Sequence, residues 1–318
     1  MPGERSRRVV CFSYLAAAEL WKVTRFPLAN YGAEIVSIEH SVAADAPMVA
    51  AVLAALDTPT LLLSNSVGSD VRGAEVQRWL QCHEVVAVAS VTSGLATPQI
   101  VVVSDESSTR TWFPYLPGVV DGLAVLDLSP LNEASFAYID CYQLIEAPAV
   151  RAIQAARAAN VPLLLNLGGS SLSPEVTAAA RDHLDLIVQT NVDDAAHNEA
   201  PRVASSILAA TNARWVIVTA GVNGAIALNR TECLSVPAFR AEIRYTHCAG
   251  AAFSGGLLYS LLHDWPMDES LSLACASGAL RCERAHHEPL PTLDELREVI
   301  ESSVRLGEIQ SPEVPKLA

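Results

Sequence analysis

Apolar positions in this chain gather in short continuous runs, and alanine-rich stretches with helical spacing separate them. Uninterrupted runs of this length predict strands buried on both faces, the pattern of a parallel sheet covered by helices. They place strands at 8–12, 60–65, 99–104, 137–141, 162–167, 184–189, 215–219 and 225–228. A helix is expected over 147–159, where Asn160-Val161-Pro162 stops it. Thr292-Leu293-Asp294-Glu295 reads as a capping box, and Leu293, Leu296, Val299 and Ile300 then recur at helical spacing. Two segments break the strand–helix rhythm. Residues 13–40 and 88–117 are rich in Val, Thr, Trp and Tyr with polar residues between them, and they predict a small β layer over a cleft. No repeat or long linker divides residues 1–318, which read as one domain of class α/β.

Charge narrows the partners. The formal net charge is −14, which argues against nucleic acid and anionic membranes, since both need a basic face. No stretch approaches the roughly 18–20 apolar residues of a membrane span. The first residues, Met1 to Arg8, are polar and lack the features of a signal peptide. The seven cysteines form no Cys-x-x-Cys pair, so reduced thiols and a cytoplasmic protein are expected. Lysine occurs only at 22 and 316. Neither follows a glycine-rich turn, which excludes a Walker-type phosphate loop and leaves little room for a Schiff-base lysine.

The run from Thr246 to Gly256 carries the most chemistry. Its small residues let the backbone turn tightly and aim N–H groups of Ala249 and Gly250 at an anion over a helix N-terminus. The turn holds no carboxylate and no lysine. His247 could serve as a replacement base, although its place in the turn favours a local structural role. Ala252-Phe253-Ser254-Gly255-Gly256 faintly resembles a nucleophile elbow, but no clean strand precedes it. His286 and His287, beside Glu283 and Glu288, read as a solvated helix end and not as a metal centre, because adjacent helical histidines diverge. Arg110 and Trp112 could close over a ligand from the β layer, or Trp112 could fill the interface beneath it.

The order of these motifs resembles the ribokinase-like sugar and nucleoside kinases of the PfkB group, from Val9 to about Ile300. The family signature Asp-Thr-x-Gly-Ala-Gly-Asp-x-Phe corresponds to Tyr245-Thr246-His247-Cys248-Ala249-Gly250-Ala251-Ala252-Phe253. Val218-Thr219-Ala220-Gly221-Val222-Asn223-Gly224 is similar to the family's nucleotide-contacting turn, and Asn191-Val192-Asp193-Asp194 to its Asn-x-x-Glu element. Val67-Gly68-Ser69-Asp70-Val71-Arg72-Gly73 resembles a structural Gly-x-Asp-x-x-Gly turn. The resemblance implies a three-layer α/β/α sandwich with a mostly parallel central sheet and a β lid. It also implies ATP and Mg²⁺ as cofactors, a small-molecule substrate, and a homodimer joined through the lid. Asn191, Asp194, Thr219, Gly221 and Gly224 would then shape the nucleotide side. The departures fall together. Ala251 stands at the catalytic Asp, Ala16 at the sugar-gripping Asp, and Ala44 and Met48 within the Gly-Gly…Asn substrate motif. A positioned base contributes roughly 10²–10⁴-fold to rate. The expectation is therefore a pseudokinase-like protein that binds a nucleotide or a modified sugar- or nucleoside-like molecule without normal phosphotransfer. The alternatives are an active kinase of an unusual substrate and a repurposed non-kinase enzyme using the same cleft.

Overall fold

The computed structural model describes residues 8–106 and 110–305. Its strands are β1 (Val9–Phe12), β2 (Ala16–Val23), β3 (Ile35–Ala43), β4 (Thr60–Leu63), β5 (Val67–Gly68), β6 (Val91–Thr92) and β7 (Gln99–Ser104), followed by β8 (Arg110–Tyr115), β9 (Phe136–Asp140), β10 (Leu163–Asn166), β11 (Leu186–Asn191), β12 (Trp215–Thr219), β13 (Ala225–Leu228) and β14 (Cys233–Val236). The α-helices are α1 (Asp45–Ala55), α2 (Val71–Cys82), α3 (Val119–Ala124), α4 (Glu146–Ala158), α5 (Pro174–Ala180), α6 (Ala200–Thr211), α7 (Ala249–Leu262), α8 (Met267–Glu283) and α9 (Leu293–Arg305).

The main sheet runs β14-β13-β12-β11-β10-β9-β1-β4. It is parallel from β4 to β12, while β13 and β14 pair antiparallel at one edge. Every residue of β1, β9 and β10 is buried, as strands covered on both faces must be. Two apolar clusters form the core, one on each side of the sheet. Cys11, Tyr138, Leu164, Ile187 and Ile217 meet α1, α7 and α8, whereas Val10, Ala137, Leu165 and Val188 meet α4, α5 and α6. Alternation along each strand assigns neighbouring residues to opposite clusters. α7 lies close on α1, because a Cβ at Gly255 would overlap the Val52 side chain.

A second sheet, ordered β3-β2-β7-β8, stands apart from the first. Its strands span 16–43 and 99–115, so the first segment runs past residue 40 into the turn before α1. β6, expected to belong to this layer, pairs with β5 instead. Asp70 organises that corner. Its carboxylate accepts hydrogen bonds from the Gly73 N–H (2.8 Å), the Thr97 N–H (2.9 Å) and the Thr97 hydroxyl (2.6 Å), capping α2. Gly73 packs so closely on the Gly68 carbonyl that no Cβ would fit. No helix among the described residues is long and apolar enough to cross a membrane.

Candidate active site

Polar side chains collect where the parallel strands end. Asp140 closes β9, Asn166 closes β10, Gln189 and Asn191 lie at the end of β11, and Thr219 closes β12. Registers place Asp140 beside Asn166 and Asn166 beside Gln189, one polar row continuing the apolar face beneath α1 and α7. Ends of parallel strands open into the crevice where α/β proteins bind ligands.

At the centre of the row two carboxylates meet. Asp140 is fully buried, and its Oδ2 accepts the backbone N–H groups of Asp45 (3.2 Å) and Ala46 (2.9 Å), so it caps α1 from across the sheet. Its Oδ1 accepts the Tyr138 hydroxyl at 2.9 Å. The Asn166 amide nitrogen lies 2.9 Å from Asp140 Oδ1, 2.9 Å from Asp45 Oδ2 and 2.8 Å from the Tyr138 oxygen. Burial first, and the Asp45 charge second, push the Asp140 carboxyl up to about 7. Burial likewise raises Asp45, against opposing hydrogen bonds from Tyr142 and Asn166 and the nearby charge of Arg110. Asp45 keeps part of its surface exposed, whereas Asp140 has none. Two such groups share protons as a pair.

Beside the pair begins α7. Its N-cap, Cys248, sits in the left-handed region (φ 64°, ψ 14°) and offers no capping side chain. The first bond of the helix runs from the Ala252 N–H to the Cys248 carbonyl at 2.9 Å, so the N–H groups of Ala249, Gly250 and Ala251 lack helical acceptors. Gly250 is exposed, and a Cβ built there would meet nothing within 4 Å. Ala251, by contrast, is fully buried. Donors at the positive end of a helix dipole make an anion site.

The neighbours of this turn serve the fold. His247 lies 3.1 Å from the Val42 carbonyl through Nε2, and burial presses its ring down to about 4, with help from Arg281 and Arg110. It is neutral at pH 7 and ties α7 to the end of β3. Burial lifts the Cys248 thiol to about 12, so no thiolate forms there at neutral pH. Ser254 is buried within α7 and donates to Gln189 (3.0 Å) and the Gly250 carbonyl (3.0 Å), which excludes a nucleophile elbow. The expected solvated end at His286 is corrected too. That ring is buried, takes a hydrogen bond from Arg281, and meets Tyr245 edge-on at 5.5 Å.

The residues read as a nucleotide side come together at the adjacent strand ends. Asn191 and Thr219 are register partners, and the Val192 N–H bonds to the Thr219 carbonyl. Gly221 (φ 52°) begins the next turn, where a Cβ would overlap the Asp194 carboxylate. Gly224 (φ 85°) closes the turn against the backbone of β14. On the substrate side, Ala16 pairs in register with Ala43, Ala44 (φ 77°) makes the turn into α1, and Met48 is buried one helical turn further on. Arg110 crosses from β8 to donate to the Thr246 carbonyl at 2.9 Å. Trp112 shares its face of the small sheet and is 61% exposed, so it does not fill an interface.

Asp45, Asp140 and Asn166 carry this site, yet sequence reading passed over them. Asp140 and Asn166 each end an apolar run, and a lone polar residue at that place was the available signal. Their meeting with Asp45 depends on how the start of α1 packs against the ends of β9 and β10, which no local pattern encodes.

Solved structures share the fold that positions this site. The chain aligns with a nucleoside kinase of the ribokinase family from Methanocaldococcus jannaschii at a TM-score of 0.77 and 18% identity, covering 94% of this chain and 100% of that one. It aligns with a nucleoside kinase from Burkholderia thailandensis, solved with inosine, at 0.76 and 18%, covering 92% and 97%. The Arabidopsis thaliana ribokinase solved with ribose and ATP follows at 0.74 and 16%, covering 93% and 99%. These likenesses establish the ribokinase-like fold. Among curated proteins, a 5-dehydro-2-deoxygluconokinase from Geobacillus kaustophilus (strain HTA426) is 30% identical over 92 residues, 28% of this chain and 28% of that protein. The family profile described as pfkB family carbohydrate kinase matches residues 9–292. This chain therefore belongs to the pfkB family of carbohydrate kinases.

Proposed function

We propose that this protein binds ATP or a related nucleotide, with a sugar- or nucleoside-like small molecule beside it, and lacks the family's usual route of phosphoryl transfer. One observation carries the reading. The N-terminus of α7 presents N–H groups beside open space at Gly250, while the residue where a base would stand is a buried alanine, Ala251. An anion is therefore bound where no proton is taken. Asn191, Thr219, Gly221 and Gly224 border the nucleotide, and Asp194, exposed over Gly221, offers the oxygen donors that Mg²⁺ prefers. Bound there, the metal would neutralise phosphate charge. Arg110 and Trp112, on one face of the small sheet, make that sheet a lid over the crevice.

Ile38, Phe113 and Tyr115 share the opposite face of the small sheet and stay exposed, which supports a homodimer through that face.

A second reading rests on Asp45. The residue is partly exposed, its carboxylate lies near Cys248 at the head of α7, and burial raises its pKa. A carboxylate so placed can accept a proton from an acceptor hydroxyl, which would make the protein a working kinase with a relocated base.

Transfer of labelled γ-phosphate to a panel of neutral sugars and nucleosides separates the two. The first reading expects no product above ATP hydrolysis in buffer. Turnover at about 1 s⁻¹ or faster, typical of kinases, would establish the second.

A further inference from the structure

Among the described residues Arg281 is the fully buried side chain of greatest volume, 1% exposed, and it pairs with no carboxylate there. Its guanidinium donates to the Arg284 carbonyl at 2.6 Å and to the His286 ring, while Nε has no hydrogen-bond partner. Buried charges are ordinarily paired, because leaving one uncompensated is strongly destabilising. An arginine keeps its charge at any accessible pH. Among the described residues, therefore, no anion matches this interior cation.

The position of that cation is defined by the packing of α8 on α7. A Cβ at Gly278 would lie 3.2 Å from the Ala249 carbonyl, and the Ser277 hydroxyl donates to the Ala252 carbonyl at 2.8 Å. Arg281 follows Gly278 by one helical turn, on the same face. The loop entering α7 is tied to the same place, since the N–H groups of Arg244 and Tyr245 both bond to the Cys282 carbonyl. The charge of Arg281 acts on His247 and Cys248, the two residues before α7, and on His286. Both rings are held neutral, so neither adds a second positive charge. Arg110 approaches the loop from the other side, at the Thr246 carbonyl.

We propose that Arg281 is the fixed positive charge behind the α7 anion site, and that a phosphate group of the ligand is the anion its field attracts. This rests on the nucleotide-binding reading above and adds the residue that sets its affinity for charge. Arg281 is a positioning residue. It lies behind the turn, where its charge reaches His247 and Cys248, and does not touch the ligand. The site consequently selects a multiply charged phosphate over a neutral ligand of the same shape.

The test compares wild type with Arg281→Met and Arg281→Lys, using ATP, inorganic tripolyphosphate and adenosine as titrants and thermal unfolding of the ligand-free protein. Arg281→Met is expected to lose about tenfold or more in affinity for ATP and tripolyphosphate, with adenosine unchanged. It is also expected to unfold at a higher temperature than wild type without ligand, since it removes an uncompensated buried charge. Arg281→Lys should retain part of the affinity. A merely structural arginine gives the opposite pattern, with a lower unfolding temperature and unchanged triphosphate affinity, and that result overturns the proposal. Wild type that binds tripolyphosphate through Arg281 but not ATP would refute the nucleotide reading and leave this one standing. Wild type that binds neither would overturn both.

Discussion

Asp140 holds the first turn of α1 by accepting the backbone N–H groups of Asp45 and Ala46, and this brings the Asp45 carboxylate to the same Asn166 amide that Asp140 uses. One carboxylate thus caps the helix that delivers the other. Both are raised by burial, Asp140 to about 7. An acid whose folded pKa lies above its unfolded value binds its proton more tightly when folded. Stability then falls as pH rises from the unfolded value, about 4, through the folded one, and levels off above it.

The first prediction follows from that sign. Unfolding temperature should decline between pH 5 and pH 8 in wild type, and Asp140→Asn should flatten the decline. Scanning calorimetry across that range checks it, and a slope unchanged in the variant would mean that other groups titrate.

Asp45→Asn separates a binding carboxylate from a catalytic one. The variant keeps the shape of the side chain and its backbone donation to Asp140. ATP affinity should stay within about twofold, because the proposed anion site lies on α7 and the charge of Arg281 is untouched. Were phosphotransfer present in wild type, it would fall roughly 10²–10⁴-fold, the contribution of a positioned base. Equilibrium binding and a phosphotransfer assay on the same preparation read both effects.

Gly250 isolates access from folding. Nothing within 4 Å would meet its Cβ, so Gly250→Phe should fold with an unfolding temperature within a few degrees of wild type. The ring would stand in the open space before the α7 donors and lower ATP affinity at least about tenfold. A nucleotide that binds Gly250→Phe normally sits elsewhere.

Asp70 supplies a control remote from chemistry. Its three hydrogen bonds fix α2 to Thr97 and hold its carboxyl below the usual range. Asp70→Ala should cost about 1–2 kcal/mol, as loss of an N-cap does, with ligand binding unchanged. Because the folded pKa is depressed, the contribution of Asp70 is present above pH 4 and fades as pH falls through the folded value. Denaturant melts at pH 7 and pH 3 should show the variant's deficit shrinking.

Strands made of continuous apolar runs were legible from sequence. β7, β12 and β13 begin and end where the pattern places them, because their flanks are turns. The run at 60–65 ends early, since Asn65 turns inward to bond the Leu15 backbone through both its amide atoms. β11 runs on to Asn191 because it pairs with β12 as far as Thr219. The small sheet was visible as a change of rhythm, yet the partner of β6 was not, as strand pairing is non-local. The turn into α7 was legible because a helix N-terminus is a local object. Asp45 with Asp140, and Arg281 with residues 247–248, were not. Each couples elements remote in sequence, and a charged residue among apolar neighbours looks the same whether it lies in the core or on the surface.

The central claim is that the nucleotide half of the site remains while the base is gone. Isothermal titration of the purified protein with ATP and ADP, with and without Mg²⁺, tests it most directly. The account predicts saturable binding in the micromolar range that strengthens with Mg²⁺. Absence of binding at millimolar nucleotide, in either condition, would contradict it.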